Sequence, residues 1–133
     1  MEWEEQYVLL RRKVTIDQNI IFKAAQDFVN KIYEYFTKYG LDNNVTFDMD
    51  KNIITMPDNT TISFRFYEND EAIFETTRII DEKTFIGDKK AQIICNGGVY
   101  LLWLINGDKR EASNYFELST DLINQIFRHL LFS

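Results

Sequence analysis

This chain has little of what usually builds a reactive site. It carries one histidine and one cysteine in 133 residues, so a His/Cys metal cluster and an intrachain disulfide are both excluded. The only pairing of that kind left is Cys95 with His129. Cys95 sits between Ile94 and the Asn96-Gly97-Gly98 turn with no base beside it to lower its pKa, which reads as a structural thiol. With a lone cysteine, a reducing, cytoplasmic setting is the default expectation. One proline (Pro57) and five glycines leave no room for a linker. The longest apolar run is Val99–Ile105, far short of the ~20 residues that span a bilayer. Glu2, Glu4 and Glu5 stand where a signal peptide would be basic, so no export signal and no membrane association are expected.

Basic charge is scarce as well. The net charge is −6, and residues 41–82 alone hold ten acids against three bases. Phosphate binding needs clustered Lys and Arg, which argues against nucleic acid as a direct ligand. The glycine-rich phosphate loops and the nucleophile-elbow motif are missing. Asp48-Met49-Asp50-Lys51-Asn52 opens like a calcium loop, but Ile53 takes the glycine position and Asn59 the final glutamate position. It reads as a turn. No catalytic residue, cofactor or metal is expected.

What the chain does have is core. Apolar residues make up 45% and aromatics 15%, enough for one packed domain burying roughly two-thirds of its unfolded surface. The organising stretch is Ala91–Ile105, whose Asn96-Gly97-Gly98 marks a hairpin turn. After the turn Val99, Leu101, Trp103 and Ile105 alternate with Tyr100, Leu102 and Leu104, so both faces of that strand are apolar. Each face then needs a cover.

Helical periodicity supplies one cover. Trp3, Tyr7, Leu10 and Val14 favour a first helix within residues 3–14. Between a capping box at Thr15-x-x-Gln18 and Gly40, a helix of about 24 residues is expected, with Ile21, Ala24, Ala25, Phe28, Ile32, Tyr35, Phe36 and Tyr39 as its core stripe. A C-terminal helix capped by Ser119 or Thr120 presents Leu122, Ile123, Ile126, Phe127, Leu130 and Leu131. Between these helices the period is two. Short strands fall around Val45–Met49, Ile53–Met56, Thr61–Tyr67, Ala72–Ile80 and Thr84–Ile86, before the hairpin closed by Asn106-Gly107-Asp108. The fold class is therefore α+β, an antiparallel meander of about six strands packed by a long N-terminal helix and a shorter C-terminal one.

The functional expectation is a small acidic interaction module of the inhibitor, immunity or adaptor kind, non-catalytic, binding a basic protein or a second copy of itself. Asp48, Asp50, Glu68, Asp70 and Glu71 are the acidic candidates for the partner surface, and Tyr100, Leu102 and Leu104 the apolar ones. The alternative is a carrier whose curled sheet encloses an apolar ligand among Phe64, Phe66, Phe74 and Trp103.

Overall fold

The computed structural model describes residues 1–132, with side chains at all of these positions except 79–80 and 84–86. The elements run α1 (Trp3–Leu9), α2 (Gln18–Lys38), β1 (Thr46–Asp48), β2 (Ile53–Thr55), β3 (Thr61–Tyr67), β4 (Glu71–Ile80), β5 (Lys83–Asn96), β6 (Val99–Asn106), β7 (Lys109–Tyr115) and α3 (Thr120–Leu131). All seven strands pair antiparallel in chain order, giving an α+β fold built on an uninterrupted meander. The β5–β6 turn joins Asn96 to Val99 through Gly97 and Gly98, with Gly97 at φ 63°, a conformation that a side chain disfavours.

There is one strand more than the six expected, and the division of the sheet differs for two reasons. Lys109–Tyr115 is mostly polar because it is the edge strand, exposed along most of its length, so it lacks a period-two signal. Gly87-Asp88-Lys89, expected as a connection, is a bulge within one 14-residue strand. Glu75 pairs with Lys90 and Thr77 with Ile86, which leaves Thr76 opposite those three residues. Gly87 is needed there, since a Cβ would run into the Thr76 hydroxyl.

The long helix has 21 residues rather than about 24, and its N-cap is Asp17, which accepts from the Asn19 amide at 3.0 Å. Thr15 does not cap it because Val14–Ile16 is used as an extended strap. Val14 N donates to Gly97 O, Ile16 N donates to Asn69 O, and the Thr15 carbonyl accepts from the Tyr100 hydroxyl at 2.7 Å. The first helix ends at Leu9 and buries no residue; Trp3, Tyr7 and Leu10 are exposed while Val14 is buried in the strap.

Both long helices lie on one face of the sheet. Phe28 of α2 meets Phe127 of α3 at 5.1 Å between ring centroids, Phe127 meets Phe74 at 6.5 Å, and Phe74 meets Phe64 at 5.9 Å. Ser119 caps α3 by accepting from the Leu122 amide at 3.1 Å, and Leu122, Ile123, Ile126, Phe127 and Leu130 are buried, so the helix is deeply docked. The stripe of α2 behaves differently along its length. Ile21, Ala24, Ala25 and Val29 are buried, whereas Tyr35 and Tyr39 are exposed and not core. The helix is about 31 Å long, while β1 and β2 beside it have three residues each. Past Val29, Ile32 and Phe36 pack against the core, and both are half-buried.

Candidate functional site

Strand alternation and register together decide which side chains share a face. Leu102 lies level with Ile93 and Ala72, and Leu104 with Ala91 and Phe74, all on the side of the helices. Leu102 is 1% exposed, Tyr100 is buried, and Leu104 packs against the core. The face assignment inferred for β6 is therefore inverted: Tyr100, Leu102 and Leu104 are interior, and the alternate residues face away from the helices. The physical reason is that the two sets are nearly equal in hydrophobicity, so β6 itself carries no sign of which side the helices take.

On the other face Leu101 lies level with Ile94 and Glu71, Trp103 with Gln92 and Ile73, and Ile105 with Lys90 and Glu75. Ile73, Ile94, Leu101, Trp103 and Ile105 form one half-buried apolar strip over β4–β6, and neither α2 nor α3 covers it. Val99 heads the same row and is buried, next to the point where the end of α1 crosses the hairpin. Polar partners flank the strip: Arg65 and Glu75 form an ion pair at 2.9 Å, and Gln92 donates to Glu71.

The acidic candidates gather at one end of the sheet, because the β1–β2 and β3–β4 turns point the same way in a meander. Asp48 accepts from the amides of Asp50 and Lys51, so it shapes its turn, as expected for a failed calcium loop. Glu68 is exposed and left-handed at φ 53°. Asp70 is exposed beside Cys95, whose amide it receives on its carbonyl. Of the five acids, Glu71 lies on β4 level with the strip residues Ile94 and Leu101. The eight residues chosen from sequence thus divide between a turn end, a core and a strip edge.

The two reactive side chains are placed for structure. Burial, and then the Asp70 charge, push the Cys95 thiol above its ordinary pKa, which suppresses the thiolate. His129 Nε2 lies 3.1 Å from Lys90 O and 3.0 Å from Ile105 O. Facing two carbonyl oxygens it acts as donor, tying α3 to the β5–β6 backbone. Among the described residues no group of three or more His, Cys, Asp or Glu comes together, and no helix is long and apolar enough to cross a membrane.

A cavity does exist, but not where the carrier reading placed it. Phe64 and Phe74 are locked in the aromatic core, Phe66 packs on it, and Trp103 is on the opposite face. The cavity, about 610 Å³, opens between Phe28, Ile32 and Phe36 of α2, the end of α3, and the β2–β3 turn. Thr60 and Arg78 line it and also line an adjoining cavity of about 400 Å³ that reaches the β5 bulge. Neither residue stood out in the sequence. The available signal was phase: Thr60 shares its face with Ile62 and Phe64 and is buried as a polar residue at an inward position, whereas Arg78, next in phase after Phe74 and Thr76, is exposed. No protein-family model, curated protein or solved structure matches this chain.

Proposed function

We propose that this chain is a non-catalytic protein-binding module that docks a basic partner on the uncovered face of its sheet. The observation that carries this reading is the strip of Ile73, Ile94, Leu101, Trp103 and Ile105, apolar, contiguous and left without a helix. Contiguous apolar surface of this kind is where association sites form. Tryptophan at its middle matches the residue type that dominates interface energetics. The excess of acid, −6 in all and concentrated in residues 41–82, favours a partner of opposite sign and would speed its approach. The lone cysteine supports a reducing, cytoplasmic setting.

The strip also suits a second copy of the chain, face to face. Trp103→Glu separates these outcomes, because a charge on a half-buried outer position leaves the core intact. Circular dichroism should be unchanged. In pull-downs from source-cell extract, a basic protein retained by the wild type should be lost, and its retention should weaken with salt. A wild-type dimer that becomes monomeric in the variant would assign the strip to self-association. Retention of the same partner by Trp103→Glu, with no change in oligomeric state, would remove the strip from the function.

A further inference from the structure

The short helix α1 gets little support from the rest of the fold. It has seven residues, no side-chain cap and no buried residue. Met1–Val8 are all exposed, Trp3 at 74%, Tyr7 at 55% and Val8 at 65%. The Arg11 guanidinium lies over the Tyr7 ring, 4.5 Å from its centroid, and leaves that ring half in water. A helix this short is marginal by itself, and in proteins its stability comes from packing an apolar side. Here that side packs on nothing.

Only the C-terminal end of α1 is held. Leu9 is half-buried, and the Leu9 and Leu10 backbone lies against Gly98. Arg12 then donates to the Gly98 and Phe116 carbonyls, and Val14 N donates to Gly97 O. This anchor is the same β5–β6 turn from which the outer row Val99, Leu101, Trp103 and Ile105 begins. Two uncovered apolar surfaces of one chain therefore start from one point, and Val99, nearest that point, is already buried.

Reach and charge both match. From Leu10 back to Trp3 the helix rises about 10 Å. From Gly98 to Leu101 the strand also rises about 10 Å. Laid along β6, α1 would bring Trp3 level with Leu101, its ring directed at Trp103. Its free end carries Glu2, Glu4 and Glu5. Further along the outer face, Ile105 is flanked by Lys90 on one side and Arg110 on the other. Glu75, the acid on that level, is already paired with Arg65. Acids on the moving end thus approach bases on the sheet.

We infer that α1 is a lid, which swings about Leu9 to lay Trp3 and Tyr7 on Leu101 and Trp103, so that a partner has to displace it from the strip. Its regulatory meaning rests on the strip being the docking face. Closure itself is read in the free chain, so either reading can fail without the other.

The chain has two tryptophans, one on each surface, which makes closure visible. Trp103→Phe leaves Trp3 as the single emitter. In that background Trp3 should be shielded from acrylamide. Adding Leu101→Asp, a charge on the half-buried outer row, should raise quenching several-fold with circular dichroism unchanged. Arg110→Glu, on the exposed edge strand, and added salt should both raise it too. Trp3→Cys with Leu101→Cys, in a Cys95→Ala background, should form a disulfide within one chain on mild oxidation. Trp3 quenched as freely without Leu101→Asp as with it, or a double-cysteine variant that forms no disulfide within the chain, would overturn the lid. A disulfide formed only between chains would overturn it as well, assigning α1 to the strip of a second copy.

Discussion

Leu101 and Leu102 are chemical twins one bond apart, and the fold gives them opposite duties. Leu102 is enclosed between the sheet and the helical layer, while Leu101 belongs to the uncovered strip. Leu102→Ala should therefore destabilise by about 2–5 kcal/mol, the range for truncating a buried leucine. Leu101→Ala should cost only ~1 kcal/mol, as at a half-covered position. Urea unfolding of the two variants checks this; equal losses would mean that both faces are closed. Aspartate sharpens the contrast, since at Leu102 it buries an unpaired charge and should unfold the chain. The same logic explains Tyr100. Its ring belongs to the core, and its hydroxyl reaches out to the strap at Thr15.

At the scale of elements, the strap and the β5–β6 turn depend on one another. Gly98 is buried, and a Cβ there would run into the Leu9 carbonyl oxygen and the Leu10 backbone. Gly97 has no such contact, since its nearest neighbour would be Leu10 O at 3.8 Å, but it needs its positive φ. The two alanine substitutions should thus fail differently. Gly98→Ala should cost about 1–3 kcal/mol, as overpacking does, and should release the strap. Gly97→Ala should cost about 1–2 kcal/mol through backbone strain, with the strap in place. Hydrogen exchange at Val14 and Ile16, whose amides bond to Gly97 O and Asn69 O, discriminates between them. Slow exchange at both amides in Gly98→Ala would show that the strap does not rest on that glycine.

For the whole molecule, the alkaline limb of stability follows from two weak acids, buried Tyr100 and half-buried Cys95. Burial is the leading cause that raises both the Tyr100 phenol and the Cys95 thiol; the Asp70 charge adds to it at Cys95, and the Cys95 and Asp17 charges add to it at Tyr100 against an opposing Arg12. The unfolded chain ionises these groups at ordinary values, about 8.5 for a thiol and about 10 for a phenol. As pH rises past those values the unfolded state loses protons first. Stability should then decline until the raised folded values are passed. The wild type should lose midpoint progressively above about pH 8.5–10. Tyr100→Phe should flatten the upper part of that decline while removing the bond to Thr15 at every pH. An unchanged slope would assign the decline elsewhere.

Local chemistry alone determined a good deal of this molecule. The periods of 3.6 and 2, the Asn-Gly-Gly turn, the cap at Ser119 and the wide apolar face of α3 are each set by neighbours within a few residues, so the α+β meander was legible. Lys109–Tyr115 was not, because an edge strand need bury nothing and so leaves no pattern. Nor was the inward face of β6, where Leu101 and Leu102 compete on equal terms. That choice belongs to the side of the sheet on which α2 and α3 pack, a contact between parts of the chain far apart in sequence. The cavity was settled at the same level. It lies where Phe28, Ile32 and Phe36 of α2 meet the end of α3 and the β2–β3 turn, three segments far apart in sequence.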